Sequence, residues 1–550
     1  MDKEYDYIIV GAGSAGCVLA NRLTASGKHR VLLIEAGSRD RNILFRLPML
    51  MGKLMHSGIY NWGYHTEPEE HLDGRRVYWP RGKALGGSST INGMIYVRGN
   101  PADYDGWAAA GNPGWSYAEV LPYFKRSERH EDRADSYHGD RGELTVRRAR
   151  GENPMFDAYV EAGEQAGHHF TDDFNGERQE GFGRYDFTIE NGKRCSAARA
   201  FLHPAMKRPN LDIATKALAH RILMEGTRAV GVQYRSAGSL LMARAAREVL
   251  VCGGVVNSPQ LLMLSGIGDS QEIERHGIAP VHHLPGVGEN VQDHVDCCLV
   301  HSCRAPVSIR DNLRVDRVAL SVAQAALFGT GFVTSFPYEA GSFMRSSTAL
   351  EAPDVQTHFM PATEETANMH WSLLSSSGAE DIAREHGFTI RIGPVKPSSR
   401  GRIALRSANP EDTPLIFANY LENQGDAETM IAGVEMMREV MASKAFAQVL
   451  GNELAPGPAL KTPTQLRKWL VGAAMTTLHP VGSCRMGAGA EAVVDAELRV
   501  HGLQGLRVVD ASIMPSITRG NTNAPAIMIA EKASDLILNP STHPETGAAR

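Results

Sequence analysis

Tyr7-Ile8-Ile9-Val10-Gly11-Ala12-Gly13-Ser14-Ala15-Gly16 is an apolar run that enters the spacing G-x-G-x-x-G, and its reading decides the first element of the fold. Each glycine has its own task. Gly11 permits a tight turn after the strand, Gly13 lets the backbone approach a pyrophosphate, and Gly16 allows a helix to pack closely. Val18, Leu19 and Leu23 recur at helical spacing and predict a helix whose N-terminal amides face the phosphates. A second apolar run, Val31-Leu32-Leu33-Ile34, delivers Glu35, 19 residues after Gly16, where an acid reaches ribose hydroxyls. Strand, helix, strand and acid in register predict a dinucleotide site. They leave NAD and FAD equally open.

Outward from this unit, the chain of 550 residues has 43% hydrophobic and 22% charged residues and a net charge of −5. That is the composition of a soluble globular protein with room for several domains, and it carries no basic excess that would suggest nucleic acid. The seven cysteines, Cys17, Cys195, Cys252, Cys297, Cys298, Cys303 and Cys484, form no C-x-x-C pair, so neither a disulfide framework nor a metal site is expected. The first strand begins within ten residues of Met1, which leaves no room for a signal peptide, and no run of 18 apolar residues occurs. A cytoplasmic location is expected, with peripheral contact to the cytoplasmic face of a membrane left open. Nothing fixes an oligomeric state.

Leu47, Pro48, Met49, Leu50, Met51, Leu54 and Met55 form a stretch too broken for a regular element and too apolar for a solvated loop, which predicts a cover. Arg81-Gly82-Lys83-Ala84-Leu85-Gly86-Gly87-Ser88-Ser89-Thr90-Ile91-Asn92-Gly93 offers amides, hydroxyls and an amide side chain that would cradle a second part of a cofactor. Glu248 to Cys252 reads as a buried strand entering Gly253-Gly254, after which Ser258 is expected to cap a helix with Pro259 at its first position. Phe388 to Ile392 and Arg402 to Leu405 alternate and predict half-exposed antiparallel strands. The apolar stretch from Val318 to Phe332 reads as a core helix, ahead of a greasy access region as the alternative.

Near the C-terminus, Leu466, Trp469, Leu470 and Ala473 predict a helix that ends before His479-Pro480, because the residue preceding proline is pushed out of the α region. His479 is therefore expected on a defined loop. Leu506 to Pro515 reads as a strand closing on small residues, and Gly520-Asn521-Thr522-Asn523-Ala524-Pro525 leads into a helix from about Ala526 to Leu538. Locally, Asn521 and Asn523 read equally well as turn and capping residues. The tail after Asn539 is expected to fray.

These motifs, in this order, carry a family resemblance. The fingerprint, the Gly86-Gly87-Ser88-Ser89 cluster, the run Asn257-Ser258-Pro259-Gln260-Leu261-Leu262-Met263-Leu264-Ser265-Gly266-Ile267-Gly268, the His479-Pro480 loop and the Asn521 turn span nearly the whole chain. Together they resemble the glucose-methanol-choline oxidoreductases, and within them the choline dehydrogenase-like, FAD-dependent alcohol dehydrogenases. The fold implied is α/β (α+β overall): a Rossmann-like FAD-binding domain from residues 1–155, 195–300 and 471–540, interleaved with a substrate-binding domain from 156–194 and 301–470 on an antiparallel sheet with helices. Residues 541–550 would be the frayed tail.

The resemblance implies that Ser14, Ala15 and Glu35 contact the pyrophosphate and adenosine half of FAD, and that Ala219 meets adenine through its backbone. Ser88, Asn92, Gly93 and Ile95 would lie along the flavin, Asp510 and Ala511 would hold its ribityl and phosphate region, and Asn523 would reach it. His479 matches the catalytic histidine and Asn521 its partner. Alcohol oxidation removes a proton from oxygen and a hydride from carbon, so a base and flavin N5 must face one substrate carbon. A neutral His479 would take the proton, Asn521 would donate to the substrate oxygen, and the protonated histidine would then favour reduced, anionic flavin. The electrons would go to a quinone or other non-oxygen acceptor, with an oxidase making hydrogen peroxide from O2 as the alternative.

Departures from the family pattern matter as well. Ile91 stands where some members attach FAD through a histidine, so non-covalent FAD is expected. Val255 replaces a smaller residue, and Leu478 stands where choline-specific members often place an aromatic residue before the histidine. Trp62, Trp371, Phe336, Tyr338 and Glu339 are the candidates for holding a quaternary ammonium, with Glu339 resembling a carboxylate near substrate in choline-oxidising members. Two other classes compete: a Cys-His hydrolase using Cys484 and His479, which lacks a G-x-S-x-G elbow, and a catalytically silent flavin-binding protein.

Overall fold

The computed structural model describes residues 4–50, 54–55, 58–363 and 386–539, which leaves Met51, Trp371 and the 541–550 tail outside the described residues. The opening stretch forms β1 (Glu4–Val10), α1 (Ser14–Thr24) and β2 (Val31–Glu35). β1 lies parallel to β2, with Ile9 beside Leu33, and parallel to the end of the strand Ser239–Val251, with Ile9 beside Leu250. The sheet runs in the order Leu211–Thr215, β2, β1, Ser239–Val251, Arg228–Ser236, Ala217–Glu225, and Leu506–Val508 also pairs with Ser239–Val251. β1 and β2 are buried along most of their length, which is why they read as continuous apolar runs. A Cβ on Gly16 would stand 1.9 Å from the Gly11 carbonyl oxygen, so α1 can sit this close to the turn only with glycine there.

The second sheet is antiparallel, in the order Leu450–Ala455, Val295–Cys303, Gly387–Pro394, Val355–Met360, Ala340–Met344, Gly181–Arg184. The boundary expected at residue 300 falls inside the strand Val295–Cys303. Gly387–Pro394 is not half exposed but buried throughout. Phe388, Ile390 and Ile392 join a core with the helices Pro154–Gln165 and Gln424–Met441, while Arg391, on the other face, lines an internal cavity. Alternation reports two environments, and here the polar one is the cavity rather than bulk water.

Two helix expectations need correction. Pro259 lies inside the helix Gly254–Leu264, which starts from Gly253 rather than from Ser258. An internal proline removes the N–H that would bond the carbonyl four residues back, which is Val255. The Ser483 hydroxyl donates to that carbonyl instead, at 2.6 Å, so the helix continues through a residue that otherwise interrupts it. Ser258 is free of capping duty and its hydroxyl donates to Asp510 Oδ2 at 2.6 Å.

The stretch from Val318 is no core helix either. In the helix Val315–Phe328 the buried side includes Ser321 and Ala325, the latter packed with Leu47, Met49 and Val333, while Leu320, Leu327 and Phe328 are 62%, 74% and 73% exposed. An almost unbroken apolar sequence does not mark which helix face is inside. Among the described residues no helix is long and apolar enough to cross a membrane.

Candidate functional site

Three remote segments meet above the first sheet. The Gly86 amide donates to the Ala12 carbonyl at 2.7 Å, and a Cβ on Gly87, whose φ is +52°, would lie 2.7 Å from Gly13 Cα. The second glycine cluster thus sits on the fingerprint itself. The Glu35 carboxylate accepts from the Ala12 amide at 2.9 Å and the Gly37 amide at 2.7 Å. Burial pushes its pKa up to about 7 against the pull of those two amides. From the far end of the chain, Asp510 accepts from the Gly254 and Ser512 amides, both at 2.8 Å, and Ser14 Oγ donates to Asn523 Oδ1 at 2.7 Å.

One elongated cavity runs from Glu35 and Ala219, past Gly11 to Ala15, to Asn92, His479 and Asn521. The donor set suits a dinucleotide. A helix N-terminus without an acid in its first turn faces the middle of the cavity, where amides and dipole favour a pyrophosphate, and a carboxylate stands at one end for ribose. Glycines at 11, 13 and 87 keep side chains out of the path.

The other end is built by a backbone ladder. Residues 475–481 run antiparallel to 291–296, with Thr476 beside Val295 and Val481 beside Gln292. Asp293 Oδ1 accepts from the His479 amide at 2.8 Å, and its Oδ2 accepts from the Thr476 hydroxyl and the Tyr420 hydroxyl, each at 2.5 Å. Arg81 donates to the Leu478 carbonyl at 2.8 Å. These anchors hold Leu478 at φ +68°, a left-handed conformation that costs a non-glycine residue about 1–2 kcal/mol.

His479 projects from this turn with Nδ1 3.0 Å from His294 Nδ1 and Nε2 3.0 Å from Asn521 Nδ2. Gln356 Nε2 donates to Asn521 Oδ1 at 3.4 Å, which turns the Asn521 amide nitrogen toward His479. Burial, then the neighbouring His294, His358, Arg81 and Arg391, hold the His479 pKa well below that of an ordinary imidazole. His358, on the same wall, is pushed down to about 3 by burial and by Arg391 and His294. The result is a neutral imidazole that opens onto the cavity.

Gly11, Gly13, Ser14, Ala15, Glu35, Ser88, Asn92, Gly93, Ile95, Ala219, His479, Asp510, Ala511, Asn521 and Asn523 all line the cavity, with Gly16 behind them in the helix contact. Met49 and Met55 line it too, so the broken apolar stretch does cover something. Ile91 lines it with a hydrocarbon side chain. Glu339 is not part of the lining: its carboxylate accepts from the Gly151 amide at 2.5 Å and pairs with Arg184 at 3.1 Å. Trp62, Phe336 and Tyr338 do line the cavity. The Trp62 ring, however, carries the Lys83 ammonium 4.2 Å from its centroid and stacks on Tyr64. Cys484 lies outside the lining with its thiol pushed up by burial, which leaves a Cys-His pair without support.

Asp293, His294, His358 and Arg391 escaped the sequence reading. His358 and Arg391 are partners on neighbouring strands, and the alternation Gln356, His358 within Val355–Met360 was a signal that could have found one of them. Asp293 and His294 precede a buried strand and carry no pattern of their own.

The N-terminal and C-terminal domain signatures of the GMC oxidoreductases match residues 5–296 and 397–530. The chain is 46% identical to an oxygen-dependent choline dehydrogenase of Pseudomonas fluorescens over 100% of its own length and 96% of the relative. It is 43% identical to one from Brucella anthropi over 97% and 96%. Among solved structures it is similar to the pyridoxine 4-oxidase of Mesorbium loti, with a TM-score of 0.85, 30% identity, and 96% and 98% of the two chains covered. It is also similar to an Aspergillus oryzae RIB40 formate oxidase variant studied for FAD modification, with a TM-score of 0.90, 25% identity and 98% of each chain covered.

Proposed function

Because the chain belongs to the GMC oxidoreductase family, flavoenzymes that act on CH–OH groups, we propose that it oxidises an uncharged primary alcohol to the aldehyde with non-covalently held FAD. The observation that carries this reading is the His479 imidazole, neutral and turned into the cavity beside Asn521.

Glu35, the α1 amides and Asp510 to Ala511 would hold the cofactor lengthwise. Bound FAD supplies the hydride acceptor at N5. His479 Nε2 takes the proton from the alcohol hydroxyl, and the Asn521 amide, which has two N–H donors, offers one to the oxygen as negative charge develops. The imidazolium so formed stays in the cavity wall and balances negative charge gained there.

The curated relatives are named for choline, yet two of the groups suited to a quaternary ammonium are already engaged. Lys83 sits over the Trp62 face, and Arg184 pairs with Glu339. An aromatic face holding one cation does not attract another. These contacts support a neutral alcohol, with choline as the second reading. For the electrons, a quinone or other non-oxygen acceptor is the first reading, and dioxygen, which yields peroxide, is the one the relatives' names favour.

The test compares choline with its uncharged carbon isostere, 3,3-dimethylbutan-1-ol, and a panel of aliphatic and aromatic alcohols, mixed anaerobically with the holoenzyme. Flavin bleaching by neutral alcohols, with choline at least tenfold less efficient, is expected. Choline as the better substrate would reject the neutral-alcohol reading, and no bleaching by any alcohol would reject the enzyme reading. Peroxide yield against dye reduction separates the acceptors.

A further inference from the structure

His294 is buried within the ladder that carries His479, and the hydrogen-bond partners on either side leave it one arrangement of protons. Its Nε2 lies 3.1 Å from the Val395 carbonyl oxygen. A carbonyl only accepts, so Nε2 carries the hydrogen. In a neutral imidazole the other nitrogen is then an acceptor. That nitrogen, Nδ1, is 3.0 Å from His479 Nδ1, which must therefore be N–H. The remaining nitrogen of His479, Nε2, is left with its lone pair, facing the Asn521 amide.

From this one-directional chain of donors we infer that His294 is a positioning residue that fixes the tautomer of His479, so that the lone pair is presented at Nε2. The inference rests on His479 being the base of the proposed reaction. Donation runs from Asn521 into His479 Nε2, from His479 Nδ1 into His294 Nδ1, and from His294 Nε2 into Val395. Both ends of His479 are thus read by a partner that tolerates one tautomer. Burial with no acid bonded to its ring holds His294 neutral, at a pKa of about 4, so it remains an acceptor at working pH.

The choice of a histidine here has a chemical consequence. The carboxylate of a Ser-His-Asp triad performs the same orienting task while stabilising the imidazolium. A neutral imidazole orients without that charge, and His479 keeps its depressed basicity. When His479 Nε2 accepts the alcohol proton, its Nδ1–H bond to His294 persists, and no proton need leave the pair. The backbone supports the geometry: the Thr477 amide donates to the His294 carbonyl at 2.8 Å, so the two rings sit on adjacent rungs.

The test uses the holoenzyme. In 15N-histidine-labelled protein, with the resonance assigned by its loss in His479→Ala, long-range 1H–15N spectra are expected to show His479 protonated at Nδ1 and bare at Nε2. The opposite tautomer in the unaltered protein would overturn the inference whatever happens to any variant. His294→Leu removes the acceptor and is expected to lower kcat roughly 100-fold, as loss of a correctly presented base does, with KM and FAD content little changed. His294→Asn keeps an acceptor oxygen near the Nδ1 position and is expected to recover most of that loss. Equal damage in both variants would assign His294 to packing and overturn the inference, as would a kcat in His294→Leu within threefold of the unaltered enzyme.

Discussion

Ser14 Oγ donates to Asn523 Oδ1 over 2.7 Å and ties the first turn of the first helix to the first turn of the last, 509 residues further along the chain. The bond closes the cavity beside the expected pyrophosphate position. Losing one such bond is worth roughly 1 kcal/mol, about fivefold in affinity. Ser14→Ala and Asn523→Ala are each expected to weaken FAD binding by that factor, and the double variant by little more than either, as titration of the deflavinated protein with FAD would show.

His479→Ala is expected to lower kcat by about 100- to 10,000-fold, the usual worth of a positioned base, while FAD remains bound. Asn521→Ala should lower kcat by about tenfold or more, because it would lose the proposed donor to the substrate oxygen. Stopped-flow reduction of the flavin by alcohol reads both. Reduction at the unaltered rate in His479→Ala would remove that residue from the chemistry.

The pH dependence follows from the direction of the His479 shift. As the proposed base, His479 would work only when unprotonated, and its pKa lies below the ordinary histidine value of 6.5. kcat is therefore expected to stay level as pH falls through 6.5 and to decline only at more acidic pH. A rate profile with its acid limb centred at or above 6.5 would contradict the depressed basicity.

Glu35 gives a second and opposite dependence. Burial raises its pKa to about 7, whereas ribose hydroxyls donating to it would favour the ionised form. FAD binding then releases a proton, so affinity is expected to rise as pH increases toward 7 and to level off above it. Glu35→Gln should bind FAD more weakly and without this rise. Equilibrium titrations from pH 5.5 to 8.5 would check the sign.

Ser483→Ala leaves the Val255 carbonyl without its donor inside the protein. The expected loss is about 1–2 kcal/mol of stability in denaturant melts of the holoenzyme. Pro259→Ala restores the helical N–H to the same carbonyl, so the double variant should regain most of what Ser483→Ala loses, a coupling that only contacting positions show.

The parts of this protein legible in its sequence are those whose cause is local. Gly11, Gly13, Gly16 and Glu35 could be placed because one strand, one turn and one helix fix their relation within 35 residues, and the structure sets Gly11, Gly13 and Glu35 along one cavity and Gly16 in the tight helix contact. His479 stood out through its motif, but its neighbours Asp293 and His294, and Gln356 behind Asn521, come to it only through strand pairing across the chain. Pro259 misled because the group that compensates it, Ser483, lies 224 residues away. Leu320 and Phe328 misled because apolarity alone does not say which side of a helix meets the core. Glu339 was visible as a carboxylate, whereas its partner Arg184 was not.

Segments from opposite ends of the chain face one cavity, Gly11 to Glu35 from the first and Ala511 to Asn523 from the last. Synthesis at about 5–20 residues per second places roughly 25 to 100 s between the emergence of the first segment and the second. Throughout that interval a nascent chain has the N-terminal lining without the C-terminal segment that carries His479 and Asn521. On the proposed reading, a message cut short anywhere before His479 yields a product that lacks the C-terminal lining of the cofactor cavity and the proposed base in the same event.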